Sequence, residues 1–176
     1  MKTERETALV DVFVQRSFST ANVSELERPD GPRVEPCLSL HGILRERSYL
    51  ARDGSRILCH FRSPDAESLR LALRGCGVMY DALWTGIVTN TPGAANSVLA
   101  VERVFETPIS KEQERDCRAS TARRLHDLGV EPARVWLSRC RRRLLWLCRA
   151  RTPDAIAAAE TELAGHGFEV WRSETV

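Results

Sequence analysis

The sequence predicts an α+β fold in which one β-α-β-β-α-β module is written twice, and three observations carry that reading. Residues 57–66, ILCHFRSPDA, match residues 146–155, WLCRARTPDA, at six of ten positions, with Ser63 and Thr152 a conservative seventh. The match extends outward, with VFVQRSF (12–18) over LAVERVF (99–105), GILRERSYL (42–50) over GVEPARVWL (129–137), and GCG (75–77) over GHG (165–167). The offset drifts only from 87 to 90 residues, as a tandem duplication requires. Within each copy the apolar period changes from two to about 3.6 and back in the same order, which reads as strands alternating with helices.

Taken in order, residues 8–16 alternate and are rich in β-branched side chains, hence a strand. The helix that follows is short in copy one, residues 34–40, because Pro29, Pro32 and Pro36 break the stretch. In copy two it runs from Ser110 to Gly129, with Ser110 and Gln113 spaced as a capping box and Gly129 as the stop. Two strands come next, residues 43–51 and 55–62, joined at Arg52-Asp53-Gly54. Copy two closes the same hairpin around residues 139–142.

Ser63-Pro64-Asp65 and Thr152-Pro153-Asp154 each open a helix. The hydroxyl caps free N–H groups, proline occupies a first-turn position where no bond is lost, and the aspartate faces the positive end of the dipole. Glycines stop these helices at Gly75 or Gly77 and at Gly165 or Gly167, and a last strand follows, about residues 81–88 and 168–172. This order is the ferredoxin-like split unit, whose sheet carries helices on one face only. Two such open faces in one chain can cover each other. The expected architecture is therefore two ferredoxin-like modules, 1–90 and 97–176 with a linker at 91–96, packed sheet to sheet as a pseudo-dimeric α/β barrel.

Composition is that of an ordinary globular chain, 43% apolar and 28% charged. No apolar run is long enough to span a membrane, and no apolar signal segment follows the charged residues 1–6, so the expectation is a cytoplasmic protein. A formal charge of +2 gives no reason to expect a nucleic-acid partner. The expected partner is a small molecule or metal ligand, with the chain a monomeric pseudo-dimer or a homodimer. The one basic cluster, Arg139, Arg141, Arg142 and Arg143, is either a solvated hairpin tip or a phosphate contact. Six cysteines (37, 59, 76, 117, 140 and 148) include no CxxC pair, so all six are expected as reduced thiols, and a zinc knuckle is excluded by spacing.

The stretch RERSYLARDGSRILCHFRSPDAESLRLALRGCGV (45–78) resembles the family of uncharacterised domains numbered 4242. Its features are a Tyr-containing strand, an Asp-Gly turn, a Cys-containing strand, then Pro-Asp and a helix. The resemblance implies the dimeric α/β-barrel form of the ferredoxin-like fold and a nickel-binding protein. Copy two departs from the pattern, with arginines in place of the Asp-Gly turn and Trp136 in place of Tyr49.

Strand alternation sorts the candidate residues. Ile57, Cys59 and Phe61 share one face, expected under the helices, where Cys59 and its repeat Cys148 serve either as small packing residues or as metal or redox groups. His60 points the other way, with Asp11, Phe13 and Gln15 from the first strand and Arg45, Arg47 and Tyr49 from the second. His60, Tyr49, Arg47 and Glu102 are thus expected to line a common cavity with Phe13 and Trp84. That set either performs general acid–base chemistry on a small aromatic or anionic ligand, or forms a structural polar network. Copy two carries Trp136 and Arg149 at the places matched to Tyr49 and His60, so one working pocket per chain is expected. Cys37 and His41, four residues apart on one helical face, are the candidate metal ligands, suited to nickel or another soft divalent metal. No other cofactor is implied, since nucleotide-loop and nucleophile-elbow motifs are absent. Three functions follow: a metal- or small-ligand-binding protein, a cofactor-free enzyme of isomerase, cyclase or monooxygenase type, or a regulatory or interaction module with no site.

Overall fold

The computed structural model describes residues 8–18, 28–90 and 99–175; the expected linker lies outside them. The chain divides into two compact units between Gly86 and Ile87.

The first unit contains β1 (Val10–Ser17), α1 (Glu35–Leu40), β2 (Leu44–Ala51), β3 (Arg56–Ser63), α2 (Ala66–Gly75) and β4 (Ala82–Asn90), the division falling inside β4. β1 lies antiparallel between β3 and β4, and β3 pairs with β2, giving the order β4-β1-β3-β2. The second unit contains β5 (Leu99–Val104), α3 (Lys111–Asp127), β6 (Val130–Ser138), β7 (Arg143–Ala150), α4 (Pro153–Ala164) and β8 (Glu169–Thr175). Its sheet repeats the order as β8-β5-β7-β6.

Each sheet buries one face under its helices. Val12, Val14, Ile57, Cys59 and Phe61 meet Leu38 of α1 and Leu69 and Leu73 of α2. Leu99, Val101, Leu144, Trp146 and Cys148 meet Leu125 of α3 and Ala159 and Leu163 of α4. Each fully buried aliphatic side chain contributes about 1.5–3 kcal/mol, so these stripes fix which way every strand faces. Burial pushes the Cys59 and Cys148 thiols well above their ordinary range, as inert packing residues.

α3 begins with the expected capping box: Ser110 Oγ accepts from the Gln113 N–H, and the Gln113 side chain accepts from the Ser110 N–H. α1 has no side-chain cap and only six residues, too few to persist without tertiary support. Cys37 of α1 is disulfide-bonded to Cys76, the C-cap of α2, 39 residues away. The expectation of six free thiols is corrected to four: Cys59, Cys117, Cys140 and Cys148. Packing of α1 beside α2 creates this pair, and sequence spacing carries no trace of it. One support for a cytoplasmic chain is thereby removed. Among the described residues no helix is long and apolar enough to cross a membrane.

The two strand ladders repeat with a single period. Phe13 faces His60 as Ala100 faces Leu147, Tyr49 faces Leu58 as Trp136 faces Leu145, and Phe13 faces Trp84 as Ala100 faces Trp171, every equivalent pair 87 residues apart. The bulges repeat too, between Arg45 and Arg47 and between Pro132 and Arg134. The helix caps obey the same period: Asp65 accepts from the Ser68 N–H, and Thr152 from the Ala155 N–H.

Two expectations change. The cap of α2 is Asp65, while the Ser63 hydroxyl donates to the Asp65 carbonyl. The matched peptides, spaced by 89, are two residues out of phase with the ladders, so Cys59 stands where Trp146 does and Cys148 where Phe61 does. The copies of the cysteine share a face but not a position.

Candidate functional site

Alternation along β1 sends Val12 and Val14 to the helices and Asp11, Phe13 and Gln15 to the opposite face. On that face His60 of β3 lies directly across from Phe13, and Trp84 of β4 lies across from it on the other side. The three rings stack: Phe13 and His60 have centroids 4.7 Å apart at 8°, Phe13 and Trp84 4.4 Å apart at 19°. Gly86 makes room for the stack, because a Cβ there would stand 2.8 Å from Phe13 Cε2.

His60 Nε2 lies 2.7 Å from Asp11 Oδ1, with the imidazole 5% and the carboxylate 28% exposed. An Nε2–H donated to Asp11 leaves Nδ1 as the basic nitrogen and holds the ring in one orientation. Trp84 Nε1 is buried and has no hydrogen-bond partner among the described residues. Leaving such a donor unsatisfied costs about 1–3 kcal/mol, which an acceptor brought by a ligand would recover.

Arg47 is half-buried and pairs with His60 in the β2–β3 ladder, with Tyr49 two residues along the same face. Tyr49 is 3% exposed. Arg45 does not join them: the bulge at Glu46 turns it away, and its guanidinium donates to the Asp30 carbonyl. The sheet of the first unit therefore carries His60, Arg47, Tyr49, Phe13 and Trp84 on one face. Glu102 belongs to the second unit, where it is 2% exposed and ion-paired with Arg143 at 2.8 Å. The matched position of His60 in copy two is Leu147, not Arg149.

Asp11 is the residue that the candidate set lacked. The signal was present: two residues before Phe13 on the same face is one diagonal step from His60 across an antiparallel pair.

The proposed metal ligands fare differently. Cys37 is held in the disulfide, and His41 is the C-cap of α1. Among the described residues no group of three or more His, Cys, Asp or Glu side chains is placed to hold a metal ion. The arginine cluster is not simply a solvated tip either. Arg141 donates to the Ile109 carbonyl and to Glu114, and Arg143 to Glu102.

Compared with known proteins, the chain matches no family model and no curated protein. Solved structures do match. A candidate chlorite dismutase is 11% identical with a TM-score of 0.50, over 96% of this chain and 94% of that one. The likeness is one of fold. The fold is similar to that of dimeric α/β-barrel proteins, and no family model supports the nickel-binding resemblance. A candidate monooxygenase from Lactobacillus acidophilus is 11% identical at a TM-score of 0.48, over 96% of this chain and 94% of that one. A mutant chlorite dismutase from Candidatus Nitrospira defluvii is 10% identical at 0.48, over 97% and 92%.

Proposed function

We propose that this chain is an enzyme that moves a proton on a small aromatic or anionic substrate, with His60 as the acid–base group. The observation that supports it is the His60–Asp11 pair: a buried imidazole, oriented by a carboxylate and stacked on Phe13, whose other face carries Trp84, an indole with no hydrogen-bond partner among the described residues. In this reading Asp11 holds the imidazole in place. His60 takes a proton from an acidic C–H or O–H and returns it elsewhere on the substrate. The Trp84 N–H and the Arg47 guanidinium offset the negative charge that develops. The reading extends to architecture: residues 1–90 and 97–176 are two ferredoxin-like modules of one pseudo-dimeric barrel, and only the first carries the proton-transfer group.

Phenylpyruvate, an enolisable aryl keto acid, is a suitable probe. Keto–enol exchange in deuterated buffer, followed by proton NMR, should be faster with the protein than without it. His60→Ala should lose about 10²–10⁴-fold of that acceleration. Equal rates for the two proteins would remove His60 from the chemistry.

A further inference from the structure

The second unit holds a separate cleft that the proton-transfer reading does not use. α3 presents two neighbouring stripes. Thr121 and Leu125 are buried on the sheet, with Cys117 and Leu128 packed beside them. Lys111, Arg115, Arg118, Ala119 and Ala122 recur at helical spacing on the next stripe and overhang the sheet instead. The two alanines leave space beside Pro132, with the buried Val135 and Trp146 beneath, and the result is a cleft of about 570 Å³, within the usual range for small-molecule sites. The first unit has no counterpart to its roof, because α1 is only six residues long.

The cleft has an apolar floor and a cationic rim. Lys111, Arg115, Arg118 and Arg141 line it against one carboxylate, Glu114. Glu114 is shared, 3.0 Å from Arg141 and 3.5 Å from Arg118. The acids near Arg115, Glu112 at 3.9 Å and Asp116 at 3.6 Å, are 78% and 69% exposed and bind it weakly. Arg141 is fixed in place by a left-handed backbone, φ 58°, and by its 2.6 Å bond to the Ile109 carbonyl. Such a conformation is uncommon for a non-glycine residue and is held only where neighbouring contacts determine it.

We propose that this cleft binds an amphipathic carboxylate, its apolar body against Ala119, Ala122 and Pro132 and its carboxylate among Arg115, Arg118 and Arg141. Charge complementarity selects the anionic head, and the alanine-roofed floor selects an unbranched or flat body.

Calorimetric titration of the full chain with octanoate tests it, with 1-octanol as the uncharged counterpart. Octanoate should bind saturably at one site, and 1-octanol at least about tenfold more weakly, the difference that losing one charged hydrogen bond makes. Ala122→Trp should block octanoate by filling the cleft. Arg115→Glu, at a side chain 73% exposed and so no threat to folding, should weaken it about tenfold in the same way. His60→Leu should leave octanoate affinity unchanged, which separates this cleft from the proton-transfer site. No saturable binding, equal binding of octanoate and 1-octanol, or full affinity in Arg115→Glu would each overturn the proposal.

Discussion

His60 and Leu147 occupy the same position in their respective ladders, each opposite the residue that aligns β1 with β5, yet one is an imidazole and the other a plain hydrocarbon. The second unit thus shows which side chain the sheet accepts when no chemistry is asked of that position. His60→Leu should fold. It should lose the proton-exchange activity while changing stability by no more than about 1–2 kcal/mol, since the partly exposed Asp11 carboxylate can take up water where the imidazole stood. Chemical denaturation beside the phenylpyruvate assay checks both halves; a variant that unfolds would make His60 a structural residue.

Gly86→Ala should act through Phe13. The added methyl enters the space of the Phe13 ring, which is itself stacked on His60 and Trp84. Overpacking of this kind costs about 1–3 kcal/mol, and displacement of the ring should also change the His60 environment. The ring-proton shifts of His60 in NMR spectra should move, whereas Gly75→Ala, where a Cβ meets nothing within 4 Å, should leave them in place.

The Cys37–Cys76 bond closes a 39-residue separation around the shortest helix of the fold. Reduction should lower stability by about 2–4 kcal/mol. Thiol titration of the denatured, unreduced protein should count four groups, not six. In the native protein Cys140 should react first. Burial raises its pKa, but bonds from Ser138 and the Arg142 N–H outweigh that and the net shift is downward. Cys59 and Cys148, raised by burial, should stay unmodified. The oxidised chain should hold no stoichiometric nickel, because Cys37 has no thiolate to offer beside His41; tight nickel binding by the unreduced protein would restore that pair as a site.

Asp65 carries a pH-dependent share of stability. The hydrogen bonds it accepts from Ser68 lower its pKa on folding. A carboxyl lowered in the folded state stabilises above the ordinary carboxylate range and loses that contribution as pH falls through the folded value, below about pH 4. Asp65→Asn keeps a capping oxygen but no titration, so its acid limb should be shallower than that of the native sequence. Identical limbs would mean that another carboxylate governs acid unfolding.

The sequence exposed those parts of the fold that depend on neighbours along the chain. Ile57, Cys59 and Phe61 alternate, so the helix-facing side of β3 was readable, and with it the side on which His60 lies. Ser110 and Gln113 announced the start of α3 because both halves of a capping box sit within one turn. The parts that were not readable depend on contacts between distant residues. Cys37 meets Cys76 only once α1 lies on α2. Asp11 could be placed on the face of His60, but which of Asp11 and Gln15 meets it depends on the register of β1 against β3. The bulge at Glu46 removes Arg45 from the face shared by Arg47 and Tyr49, and nothing in RERSY marks where a strand will bulge.

The same local bias misled the comparison of the two copies. SPDA and TPDA look equivalent because they are spelled alike, yet Asp65 caps one helix and Thr152 the other, since either residue type can accept the same N–H.

A displacement of two residues is one full pleat, so it moves a side chain along its strand without turning it over. Hydrophobic patterning is blind to such a slip, whereas a displacement of one would have exchanged the packed and unpacked sides of the whole hairpin. Anyone building a hybrid of the two halves therefore faces two cuts that look equally sound by pattern. Replacing residues 44–65 with 131–152 transplants a matched hairpin, in which Trp136 meets Leu145 and Thr152 arrives where a helix must begin. Splicing at the shared peptide instead keeps every apolar residue on its proper side and still sets each one a pleat away from its neighbour across the ladder.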